Sequence, residues 1–231
     1  MSYYLVGYYL MDFNAAFPIL SNYNNADNYC GCTNSTYPGA WGLSWTIDAS
    51  KGLPKEFNPN NEALHKIHEW CDNKFNDNLF LWPDVFAEKD SAIEFKKTFL
   101  NQLDNIHLVS AYIKYTYAEE IIKYGESVNP KENFGEPGLQ QILKKKIAET
   151  EEGKFIGFDM ARIQYGSHYH SFFSCYNLGQ HYKEKFGTQF NKYRLITKEE
   201  DIEKIVNYTN DEFWGESDLW LPVKIKVHNI K

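Results

Sequence analysis

Cysteine is scarce in this chain, with four in 231 residues, and two of them, Cys30 and Cys32, stand one residue apart. That is no disulfide framework, so free thiols in a reducing compartment are expected. No stretch approaches the roughly eighteen apolar residues that a membrane span needs. The opening Met1-Ser2-Tyr3-Tyr4-Leu5 lacks the basic start and apolar run of a signal peptide, and the expectation is a cytoplasmic protein that does not engage a membrane. Positive charge is also short: 24 Lys and Arg face 31 Asp and Glu, a formal charge of −7. A field of that sign repels phosphate backbones, which argues against nucleic acid and favours a basic protein as partner. The phosphate-binding G-x4-G-K-[ST], the dinucleotide G-x-G-x-x-G and the nucleophile-elbow G-x-S-x-G are all missing, so NTPase, dinucleotide-dependent and α/β-hydrolase readings lack support. No internal repeat and no low-complexity tract interrupts the chain.

Aromatic residues, by contrast, are abundant, with 17 Tyr and 16 Phe among 43% apolar residues, ample for a packed core. Tyr3 to Phe13 reads as an opening strand buried on both faces. Residues 14–58 turn to Asn, Ser, Thr, Gly and Pro around Tyr37, Trp41 and Trp45, a long loop region pinned by aromatics. Asn58 as cap and Pro59 at the first helical position open a helix to about Lys74, with Leu64, Ile67 and Cys71 on one face. Ser91 and Glu94 stand in capping-box spacing before Ala92, Phe95, Phe99 and Leu103, a helix ending near Asn105. Alternation from Ile106 to Tyr117 predicts a strand.

Asn129 to Gly138, with two prolines and two glycines, is the best place for a subdivision of what otherwise reads as a single domain over 1–231. A short helix follows with Leu139, Ile142, Leu143 and Ile147 inward and Lys144 to Lys146 outward. Phe155 to Tyr165 is a strand, Leu178 to Lys185 a helix, and Thr197 with Glu200 caps a helix carrying Ile202, Ile205, Val206 and Thr209. Val223, Ile225 and Val227 alternate with Lys224, Lys226 and His228, predicting a half-exposed strand whose lysines protect an edge. The order of elements predicts an α+β fold, a central antiparallel or mixed sheet with four to five helices packed on it.

Chemistry-bearing residues are densest from Tyr165 to His181, where His168, His170, Ser171, Ser174, Cys175 and His181 crowd together. Cys175 with His170, assisted by His168, Tyr165 or Ser171, has the ingredients of a thiolate nucleophile and its base; an inert, packed Cys175 outweighs that reading. His168 and His170, two apart on an extended segment, share a face and need a third ligand such as Asp159 or His181 to hold a metal. Cys30 and Cys32 with His65 and His68 form a candidate Cys2His2 zinc set, although C-x-C is tighter than zinc ribbons use. Ordinary packing is the better account of both, and no cofactor or metal is expected. Glu212, Glu216 and Asp218 lie beside Trp214 and Trp220, an acid–aromatic combination suited to acid–base chemistry or to gripping a basic partner; a Trp-anchored connection between helix and strand is the plainer alternative.

Gly157-Phe158-Asp159, Tyr169-His170-Ser171-Phe172, Cys175, Asn191-Lys192-Tyr193-Arg194-Leu195-Ile196 and Leu219-Trp220-Leu221-Pro222 together resemble a group of uncharacterised bacterial cytosolic proteins of immunity or antitoxin character. The likeness covers roughly Phe155 to Val227. It departs from the group's pattern by one extra residue between Phe172 and Cys175 and by Arg194 where the group has a turn glycine. The resemblance implies a small acidic binding protein. The leading expectation is therefore a non-catalytic cytoplasmic bacterial protein that binds another protein, a basic toxin for example, through Trp214, Glu216, Asp218, Trp220, Tyr169 and His170. The alternative is a Cys/His-dependent hydrolase or acyltransferase centred on Cys175 and His170.

Overall fold

The computed structural model describes residues 2–12, 36–37, 61–77, 79–81, 85–104, 106–127, 138–163, 176–193, 195–211 and 219–229. Four long strands make the frame: β1 (Tyr3–Asp12), β5 (Ile106–Lys114), β6 (Lys154–Ile163) and β7 (Leu219–His228). Three two-residue strands, β2 (Thr36–Tyr37), β3 (Phe80–Leu81) and β4 (Val85–Phe86), extend it on the β1 side. The order is β3-β4-β1-β5-β7-β6, with β2 also on β1, and every described pairing is antiparallel. Among the described residues six helices accompany it: α1 (Asn61–Asn76), α2 (Lys89–Phe99), α3 (Tyr115–Ser127), α4 (Gly138–Lys144), α5 (Tyr176–Phe186) and α6 (Glu199–Asp211). The expected α+β class with an antiparallel sheet is what forms.

Near-continuous apolarity predicted an opening strand buried on both faces, and β1 pairs with β5 along its length, with Leu5, Val6, Tyr9 and Leu10 buried and Tyr4 and Tyr8 half-buried. Two apolar clusters grip the sheet. Ile67 and Cys71 of α1 and Ala92 and Phe95 of α2 close over Leu10, Ile106 and Leu108. Trp70 lies edge-on to Phe95 at 5.1 Å while its indole donates to Glu94. The larger cluster joins Val109, Ala111, Ile113, Leu221, Val223 and Ile225 to Ile202, Ile205 and Val206 of α6, each fully buried aliphatic side chain contributing about 1.5–3 kcal/mol.

Three expectations are corrected. Ser91 is buried inside α2, which starts at Lys89 after Glu88 and ends at Phe99, short of Asn105. Ile147 is 38% exposed, because α4 ends at Lys144 and the chain has become extended. The last strand is no edge: β7 is hydrogen-bonded on both sides, between β5 and β6, so its lysines guard nothing. Residues 51–60, with the Asn58 cap and Pro59, and residues 128–137, with most of the proposed subdivision, lie outside the described residues.

Candidate functional site

Alternation on β7 places Lys224, Lys226 and His228 on one face of the sheet. The register sets Tyr8 of β1 against Ser110, Ser110 against Lys226, and Lys226 against Phe155 of β6, one row crossing all four long strands. Tyr112 lies opposite Lys224. Ser110, Lys226 and His228 are 0, 5 and 5% exposed, whereas Phe155 at the end of the row is 39% exposed.

A strap, residues 147–153, covers these polar groups and makes their burial tolerable. It joins the free edge of β1: Leu5 N–H donates to Ile147 O at 2.8 Å and Glu149 N–H to Tyr3 O at 2.8 Å. From there Glu149 reaches Lys224 at 2.7 Å and Lys226 at 3.3 Å, and Lys226 also donates to the Thr150 carbonyl. Lys89 at the start of α2 holds Glu152 at 2.8 Å. Gly153, at φ +82°, lies on the His228 ring; a Cβ there would stand 2.8 Å from Cε1. Glycine alone allows both that backbone conformation and that approach.

Beneath the strap, Ser110 Oγ and His228 Nε2 are hydrogen-bonded at 2.7 Å. Burial pushes the His228 imidazole below its ordinary range; Lys89 and Lys226 push the same way and Glu152 opposes them. Burial also raises the Tyr8 phenol, to about 12, and raises Tyr112 against the hydrogen bonds it makes with Ser110 and Thr150. A serine within reach of a neutral imidazole is the geometry of a nucleophile and its base, yet Ser110 has no exposed surface and Gly153 caps the ring. What this pair can do as it stands is anchor the strap and accept a proton.

A second polar group flanks the row. Lys114, at the end of β5, is bonded to Glu199 at 2.7 Å and to Glu203 of α6, and the Tyr3 phenol donates to Glu199 at 2.6 Å. Burial opposes the Lys114 charge, but the two carboxylates outweigh it and hold the ammonium above its ordinary range.

Most residues singled out from the sequence lie outside the described residues: Cys30, Cys32, Tyr165, His168, Tyr169, His170, Ser171, Ser174, Cys175, Glu212, Trp214, Glu216 and Asp218. Of the remaining zinc candidates, His65 is exposed on α1 and His68 lies one turn further along the same helix. Among the described residues no three His, Cys, Asp or Glu gather as metal ligands. Asp159 is buried in β6, its carboxylate accepting from Met160 N–H at 2.8 Å. His181, in α5, is partly exposed and stacks near Tyr208 of α6, 6.3 Å between ring centroids. Cys71 is buried in α1. Trp220 is corrected: it is 6% exposed, packed in the larger core cluster, with its backbone held on both sides by Asn210, so its ring is core and not a surface anchor.

The structure brings together one part of the sequence pattern. Asn191 donates to Ile156 O at 2.6 Å and accepts from Tyr193 and Leu195 N–H, fixing a turn whose Ile196 exchanges backbone hydrogen bonds with Phe158. Gly157, at φ +145°, lets that turn close on β6; its Cβ would lie 2.6 Å from Leu195 Cβ. Gly157, Asn191, Tyr193, Leu195 and Ile196 are thus framework. Missed from the sequence were Tyr8, Ser110 and Tyr112, and the strap carboxylates Glu149 and Glu152. The one available signal was the Lys224, Lys226 and His228 alternation, which by itself reads as solvated. No family model, curated protein or solved structure matches the chain.

Proposed function

We propose that the protein is a non-catalytic cytoplasmic binding protein of bacterial immunity type, which neutralises a basic protein partner. The observation that carries this reading is where its charges go. Lys114, Lys224 and Lys226 turn onto the sheet and are matched by Glu149, Glu199 and Glu203. These ion pairs cancel among themselves, so the whole excess of seven acidic residues is carried by the rest of the chain. Next to the strap stands an apolar anchor: Phe155 packs edge-on to Phe158 at 5.1 Å and is 39% exposed, while Glu151 and Glu152 are exposed nearby in sequence. An exposed aromatic ring with carboxylates close by in sequence supplies both halves of recognition for a basic surface, the ring providing contact area and the acids steering encounter. Binding of this kind requires no chemistry. Among the described residues no helix is long and apolar enough to cross a membrane.

The test is co-purification from native lysate at low and high salt, with the intact chain and with Phe155→Ser and Glu151→Lys variants. One partner, recovered at low salt, weakened at high salt and lost with either variant, is the expected result. Recovery of no partner under either condition, together with turnover in an activity screen, would overturn the reading.

A further inference from the structure

We infer that His228 is an acid-sensitive latch: charging its imidazole beneath residues 147–153 releases that strap from the sheet. The inference stands apart from partner binding and rests on what surrounds the ring. From β1, the Tyr8 ring lies 6.0 Å away, centroid to centroid. From β5, Ser110 Oγ holds Nε2 at 2.7 Å. On β7 itself Lys226 lies on the same face, two residues back, with its side chain 6% exposed. From the strap, Gly153 seals the ring and Glu152 contributes the neighbouring negative charge. From α2, Lys89 contributes a second positive charge and holds Glu152 at 2.8 Å. An imidazolium in this site is a buried cation under the influence of two ammonium groups, and Glu152, the carboxylate that offsets them, is already bound to Lys89. Lifting the strap admits water to the ring, so the open arrangement is the better host for the proton.

The sign follows. The closed strap lowers the proton affinity of His228 below the ordinary value of 6.5, whereas in the open strap the affinity returns towards that value. Closure is therefore at full strength above about pH 6.5 and weakens as the pH falls towards the depressed value. Over that window the open-to-closed ratio rises by up to about tenfold per pH unit, since one proton separates the two states. Release uncovers Lys226, Tyr112 and Ser110, which are shielded at neutral pH.

Native-state hydrogen exchange on the full chain, corrected for the intrinsic pH dependence of amide exchange, reads this directly. Between about pH 7.5 and 5.5 the Glu149 and Leu5 amides, which bridge strap and β1, should lose protection by several-fold or more, while Phe158 and Ile196, paired with each other on the far edge, should hold theirs. His228→Gln keeps a partner for Ser110 but cannot titrate, and should abolish the pH dependence. Should that variant fail to fold, the His228 titration followed by NMR in the unaltered protein serves instead, with a midpoint below 6.5 expected. The inference is overturned by constant Glu149 protection, by equal loss at Phe158 and Ile196, by pH dependence surviving in His228→Gln, or by a His228 midpoint at or above 6.5.

Discussion

Gly157→Ala should be among the most damaging single substitutions in the described residues. At φ +145° an added Cβ strains the backbone by about 1–3 kcal/mol. That Cβ would also stand 2.6 Å from Leu195 Cβ and 3.0 Å from the Ile196 carbonyl, and neither can swing aside, because Leu195 N–H is held by Asn191 and Ile196 is paired with Phe158. Overpacking of this kind costs about another 1–3 kcal/mol, giving about 2–6 kcal/mol against a total stability of about 5–15. Urea unfolding monitored by tryptophan fluorescence should show the midpoint falling with little change in slope, and exchange protection at Phe158 and Ile196 should fall most. A loss below about 1 kcal/mol, with those amides unchanged, would refute the argument that the turn is closed against Gly157.

Glu149→Gln removes the carboxylate shared by Lys224 and Lys226 and leaves the buried Lys226 ammonium without an opposite charge, on the Thr150 carbonyl and the Tyr112 ring; a loss of about 2–4 kcal/mol is expected in urea, against no measurable loss for Lys66→Ala, whose ion pair with Glu62 is exposed. Acid unfolding should report Glu199. Burial works against its charge, but the bonds from Lys114 and Tyr3 prevail and hold its carboxyl below the ordinary range. Its stabilisation is thus present above about pH 4.5 and disappears as the pH falls through the depressed value, so Glu199→Gln should be less stable than the parent at neutral pH and converge with it only once the pH is below that depressed value.

Local pattern was enough for elements whose faces are plain. Ile202, Ile205, Val206 and Thr209 are spaced for a helix and are the buried positions of α6. It was not enough at Tyr115. There β5 passes into α3 with no glycine, proline or cap between Lys114 and the first helical turn, so the alternation from His107 to Tyr115 carried the strand expectation too far. Only the spacing of buried Ala118 and Ile121 marks the helix. The site was less legible for a different reason. Lys224 and Lys226 look solvated until Glu149 and Thr150, about seventy-five residues earlier, are laid across them. The partner that makes a lysine core is non-local, and no window along the chain contains both.

The strand order also has a consequence for synthesis. β5 lies between β1, made early, and β7, whose last residue is His228. At roughly 5–20 residues per second, the interval between β5 and β7 leaving the ribosome is about 6–23 s. Through that time β1 can pair with β2, β4 and β5, but the flank of β5 that awaits β7 is an open template for strands of other chains. Nascent protein should therefore depend on chaperone capture more than the finished fold's closed centre suggests, and slowing translation after residue 114 should lengthen that exposure and lower the soluble yield.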